Sequence, residues 1–74
     1  MRKAIITGGV RGIGWGIANA MLGAGYAVTV TGLTEEQVSL VEPRAHLDAV
    51  ELDVTNNDQV EALLKGFDRL DALV

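Results

Sequence analysis

The sequence predicts an α/β fold, an open and doubly wound parallel sheet of which four strands and three helices are present. Three observations lead there. Short runs rich in apolar and β-branched residues alternate with segments of helical periodicity from Lys3 to Val74. Each run is closed by glycine, proline or a cluster of Thr, Asn and Asp. No linker, repeat or low-complexity stretch interrupts the alternation, so the order reads β-α-β-α-β-α-β within one core.

Lys3-Ala-Ile-Ile-Thr7 is an apolar run halted by two glycines, as expected of a buried first strand. From Ile13 to about Ala24, Ile13, Ile17 and Met21 recur at helical spacing, with Ala18, Leu22 and Ala24 beside them. Gly25 stands where a helix end needs positive φ. Tyr26-Ala-Val-Thr-Val-Thr31 reads as the second strand, parallel to the first because a right-handed crossover joins them. Thr34-Glu-Glu-Gln37 is a capping box, with Thr34 as cap and Gln37 reaching back, and opens a helix to about Val41 before Pro43. Ala49-Val-Glu-Leu52 is a weaker third strand. Thr55-Asn-Asn-Asp58 supplies N-cap oxygens, with Thr55 the best placed, ahead of a helix carrying Val60, Leu63 and Leu64 and closed by Gly66. Leu70-Asp-Ala-Leu-Val74 is the fourth strand. The expected strand order is 3-2-1-4, with the first two helices on one face and the third on the other.

Composition narrows the function classes. The 74 residues are 49% apolar and lack cysteine, which excludes a disulfide framework and thiolate metal sites. No apolar run reaches the roughly 20 residues of a membrane span. Met1-Arg-Lys turns polar at Thr7, too early for a secretory signal, so a cytoplasmic location is expected. Residues 1–34 carry Arg2, Lys3 and Arg11 and no acid, whereas residues 35–74 hold all ten acids against three bases. That acidic surface repels nucleic acid and leaves the basic end for a small phosphorylated ligand. His46 has no neighbouring carboxylate or histidine at ligand spacing, and no metal site is expected. Asp68 and Asp71 read as solvated.

The chemistry concentrates in Thr7-Gly8-Gly9-Val10-Arg11-Gly12-Ile13-Gly14, a loop between a strand and a helix. Helix N-terminal amides lack partners, and the helix dipole favours an anion there. Glycines allow a sharp turn and the close approach of a pyrophosphate, and Arg11 offers a charge-assisted partner. No Gly-Lys-Ser/Thr follows, so the loop is not a P-loop. Its spacing is G-x-x-x-G-x-G rather than G-x-G-x-x-G. Trp15, one residue beyond, is expected at the surface or against a partner rather than stacked on a ligand.

With these residues the chain resembles the short-chain dehydrogenase/reductase family, whose T-G-x-x-x-G-I-G signature matches Thr7 to Gly14. Leu52-Asp-Val-Thr55 is similar to the family's third-strand motif, and Leu70-Asp-Ala-Leu-Val74 to the segment leading into its N-N-A-G motif. The resemblance spans all 74 residues and implies the first part of an NAD(P)-binding Rossmann domain, with no second domain. It implies cofactor contacts at Gly8, Arg11, Gly12, Ile13, Gly14, Leu33, Asp53 and Val54, with Asp53 on the adenine amine and Val54 beside the ring. For Asp53, a role in a turn or helix cap competes with that one.

The family's hydride chemistry requires a Ser and a Tyr-x-x-x-Lys pair. Tyr26 is followed four residues later by Val30, so these 74 residues contain no catalytic set. NAD-preferring members carry an acid at the end of the second strand, where Gly32 and Leu33 stand here. Its absence, with Arg11, leans towards NADP over NAD, although no arginine occupies position 33. The leading expectation is the cofactor-binding part of an oxidoreductase. The alternative is a stand-alone or partner-completed dinucleotide-binding or regulatory module. An uncovered fourth-strand edge further predicts self-association.

Overall fold

The computed structural model describes residues 1–10 and 12–74. Its elements are β1 (Lys3–Ile6), α1 (Gly12–Gly23), β2 (Ala27–Gly32), α2 (Glu35–Ser39), β3 (Leu47–Glu51), α3 (Asn57–Lys65) and β4 (Ala72–Leu73). The four strands form one sheet in the order β3-β2-β1-β4, and every pairing is parallel. Fold class and strand order are those the sequence predicts.

Several boundaries move for identifiable reasons. α1 stops at Gly23 and ends in a Schellman motif: Tyr26 N–H bonds the Met21 carbonyl at 3.0 Å and Gly25 N–H bonds that of Leu22 at 3.1 Å. Gly25 has φ +92°, the conformation its position predicts. α2 is a single short turn beyond its cap, since Leu40 already closes it well before Pro43. β3 begins two residues earlier than expected because Leu47 pairs with Val28 and packs into the core.

The cap of α3 is Asn56, not Thr55. Asn56 Oδ1 accepts from Gln59 N–H at 3.2 Å, while the Thr55 hydroxyl is drawn away to Asp53 Oδ1 at 2.6 Å. A hydroxyl engaged backward in a turn is not free to receive the helix amides.

Strand parity divides the apolar residues between two faces. Ile6, Val28 and Val30 join Ala18 of α1 in the main core, with Trp15, Ile17, Met21, Leu22 and Val41 packed against it. Each fully buried Val or Ile contributes about 1.5–3 kcal/mol, so this face carries most of the stability. Ile13 is a correction: it is 86% exposed and stands off the core face. Trp15 is also a correction, since it is half-buried against the core rather than displayed at the surface.

The opposite face is thinly covered. α3 presents Val60, Leu63 and Leu64 towards Ile5, Leu52 and Leu73, yet a cavity of about 260 Å³ remains between them. No α3 residue is fully buried. The chain exposes 4853 Å², against about 4,400 Å² expected for a closed domain of its 7.8 kDa mass. The excess fits a sheet with one face half covered, and Leu73 on β4 is 60% exposed.

Asp71 is exposed as expected, but its carboxylate is tied into the sheet. It accepts Lys3 N–H at 2.8 Å and pairs with Arg69 at 2.8 Å, while its own amide donates to the Lys3 carbonyl at 2.9 Å. These bonds pin β4 to the start of β1 and hold the Asp71 carboxyl below the usual carboxylate range. Among the described residues, no helix is long and apolar enough to cross a membrane.

Candidate functional site

The carboxyl ends of β1, β2 and β3 converge with the glycine loop on one side of the molecule. Two glycines carry the turn: Gly8 has φ +66° and Gly12 φ +63°, a region that costs other residues about 1–2 kcal/mol. A Cβ built on either one meets no atom within 4 Å, so the loop presents bare backbone to open space. Gly9 and Gly14 serve the opposite purpose. A Cβ on Gly9 would lie 2.7 Å from Val30 Cγ1, and one on Gly14 would lie 2.6 Å from the Gly8 carbonyl oxygen. The loop is therefore pressed against β2 and against the first turn of α1 at once.

A side chain from the sheet holds the loop in place. Gly8 N–H donates to Thr31 Oγ1 at 3.1 Å. The first-turn amides of α1 have no helical acceptors by geometry, and that turn contains no acidic residue to compete for them. An anion with several oxygens fits this arrangement.

Beside the loop lies a cleft of about 290 Å³ lined by Gly8, Val10, Thr31, Leu33, Gln37, Leu52 and Val54. The structure thus brings together Gly8, Leu33 and Val54 of the residues expected to contact a cofactor. Gly12, Ile13 and Gly14 stand at the adjoining start of α1, outside that cleft wall. Arg11 lies outside the described residues. Asp53 does not line the cleft. Its Oδ1 accepts both the amide and the hydroxyl of Thr55, at 2.9 and 2.6 Å, in an Asx turn. The Thr55 hydroxyl, then its amide, hold the Asp53 carboxyl below its ordinary range.

The cleft walls include two polar residues, Thr31 and Gln37, that stand outside the family motifs. Thr31 could have been found from parity, since it falls at the end of β2 on the face opposite Val28 and Val30. Gln37 was visible only as a cap. Its carboxamide oxygen accepts from Leu33 N–H at 2.9 Å, one residue before the cap, while its own amide donates to Thr34 Oγ1 at 3.2 Å. Gly9 has no local signal at all, because Val30 approaches it from another strand.

The family model for short chain dehydrogenases matches residues 2–74. The chain belongs to the short-chain dehydrogenase family. It is 36% identical to a 3beta-hydroxysteroid dehydrogenase 2 of Eggerthella lenta, with 99% of this chain and 32% of that protein covered. It is 35% identical to dehydrogenase/reductase SDR family member 6 of Aquarana catesbeiana, covering 93% of this chain and 28% of that protein. Among solved structures, a short chain dehydrogenase from Bacillus anthracis superposes with a TM-score of 0.82 at 30% identity, covering 97% of this chain and 34% of that one. The chain therefore spans about one third of the length of the relatives it matches. The matched third is the N-terminal part of the short-chain dehydrogenase fold, with the glycine loop near its start, and these 74 residues hold no Tyr-x-x-x-Lys pair.

Proposed function

We propose that this chain is the NAD(P)-binding part of a short-chain oxidoreductase. The observation that carries the reading is the pair of positive-φ glycines, Gly8 and Gly12, whose missing side chains leave open space in front of the α1 N-terminus. Backbone amides at Gly12, Ile13 and Gly14 hold the pyrophosphate there, and the family resemblance adds Arg11 as a further contact. The adenosine half lies in the cleft, with Leu33 and Val54 against the ring and ribose, and the adenine amine extends beyond the cleft wall to Asp53. Asp53 can serve the adenine through Oδ2, because Thr55 engages only Oδ1.

When bound, the dinucleotide supplies hydride transfer. The residues of this chain bind and orient it. No side chain here performs the acid/base step, since Tyr26 lacks a partner lysine at the required spacing.

NADP is the favoured form, because Gly32 leaves no acid at the end of β2 and Arg11 adds a positive charge to the loop. A cytoplasmic location and self-association along β4 accompany this reading. Calorimetric titration of the folded chain with NADP and NAD tests it. Saturable binding of either supports the reading, with NADP expected to be tighter. A folded chain that binds neither overturns it.

A further inference from the structure

We propose that the groove between α1 and the residues following α2 is a binding site for a small apolar α-amino acid. The groove holds about 340 Å³ and is lined by Val10, Trp15, Leu40, Val41, Glu42 and Arg44. Of these, only Val10 also lines the cleft beside the glycine loop, so the two spaces are separate and meet at that side chain. Val10, Trp15 and Val41 pack against the core and give the groove an apolar wall. Leu40, which is 77% exposed, leaves a further apolar side chain to water at its rim. The remaining two residues carry opposite charges.

Arg44 is anchored at both ends. Leu47 N–H donates to the Arg44 carbonyl at 3.2 Å, closing a turn in which His46 has φ +65°. Arg44 Nη1 donates to Asn19 Oδ1, and Asn19 Nδ2 donates to the Trp15 carbonyl at 2.8 Å. A guanidinium only donates, so these two bonds fix which way round the Asn19 amide lies. With Nη1 engaged by α1, Arg44 Nε and Nη2 have no acceptor among the described residues. Glu42 forms no ion pair among them either; the pair present joins Arg69 and Asp71. Two opposite charges therefore line one groove without neutralising each other. A guanidinium matches a carboxylate, a carboxylate matches an ammonium, and an aliphatic side chain is buried against Trp15 and Leu40. An apolar amino acid carries all three groups. A carboxylate alone would meet Glu42 as a like charge, and an amine alone would meet Arg44.

Trp15 is the sole tryptophan of the sequence, so its emission reads the groove directly. The probe is L-leucine, compared with isocaproate, which lacks the ammonium, and isoamylamine, which lacks the carboxylate. The expected result is a saturable change with L-leucine and binding about tenfold weaker for either analogue. Arg44→Gln, which can still donate to Asn19, should weaken L-leucine about tenfold without weakening isoamylamine. Glu42→Gln should weaken L-leucine without weakening isocaproate. A response that does not saturate, equal affinities for the three compounds, or an Arg44→Gln chain that binds L-leucine like wild type overturns the site. The titration contains no dinucleotide. A chain that binds L-leucine and neither NADP nor NAD keeps this site and loses the cofactor reading, and the reverse result does the opposite.

Discussion

The amide of Gly8 donates to the hydroxyl of Thr31 across 3.1 Å, joining the first residue of the glycine loop to the end of β2. Thr31 is 1% exposed while Gly8 faces the open side of the loop, so the tie is part-buried. The loop thereby commits one amide to the fold, while the first-turn amides of α1 have no helical acceptor. Its position is set by the strand beside it as well as by its own glycines.

Replacing Thr31 with Val keeps the shape and removes the acceptor. Leaving the Gly8 amide without a partner is expected to cost about 1–2 kcal/mol and to weaken dinucleotide binding. Thr31→Ser should restore both. Denaturant unfolding and calorimetry on the two variants check this, and wild-type behaviour in Thr31→Val contradicts the tether.

Gly14 and Gly12 should respond differently to alanine. At Gly14 the new methyl would stand 2.6 Å from a backbone oxygen, so Gly14→Ala is expected to lose about 1–3 kcal/mol of stability. At Gly12 the methyl meets only open space. Its stability cost is the backbone strain of about 1–2 kcal/mol, and the larger loss should be in affinity, because the methyl occupies the path of the phosphate. Comparing unfolding midpoints with NADP dissociation constants separates the two effects.

Asp71 gives a pH dependence with a definite sign. Its carboxyl is held low first by the Lys3 amide and then by Arg69. A group with a depressed folded-state pKa contributes stability above its unfolded value of about 4, and that contribution disappears as pH falls through the folded value. Asp71→Asn should therefore melt below wild type at pH 7, and the gap should close in acid. Melting temperatures across pH 2 to 7 test this, and a gap that persists at the acid end would contradict it.

The β4 edge offers Leu73 and Val74 to solvent beside the apolar cavity under α3. Association through that edge predicts that Leu73→Lys lowers the mass seen by light scattering at high protein concentration. A monomeric wild-type chain would remove the basis for it.

Much of the architecture was legible because periodicity and punctuation agreed with each other. Gly25, Thr34 and the β-branched run of β2 each stand in the role their residue type suggests. What the sequence concealed depends on contacts between distant segments. Thr55 is the natural cap by position, but the Asp53 carboxylate takes its hydroxyl, and Asn56 replaces it. Ile13 keeps helical spacing with Ile17 and Met21, yet the helix begins beside an open loop and leaves Ile13 no wall to pack on. Asp71 is exposed, as its neighbourhood suggests, but its bond to the Lys3 amide joins segments 68 residues apart and leaves no local trace. The glycine loop was conspicuous as a motif, whereas the clearances that make Gly9 and Gly14 obligatory come from Val30 and from the loop folding back.

A dinucleotide seated on the loop and in the adjoining cleft would perturb the amides that surround it. Amide chemical-shift mapping of the ¹⁵N-labelled chain during titration with NADP tests it most directly. Saturable shifts are expected at Gly8, Gly12, Ile13, Gly14, Leu33 and Val54, with the amides of β4 and the far end of α3 little changed. A folded chain whose loop amides stay still at saturating NADP would contradict it.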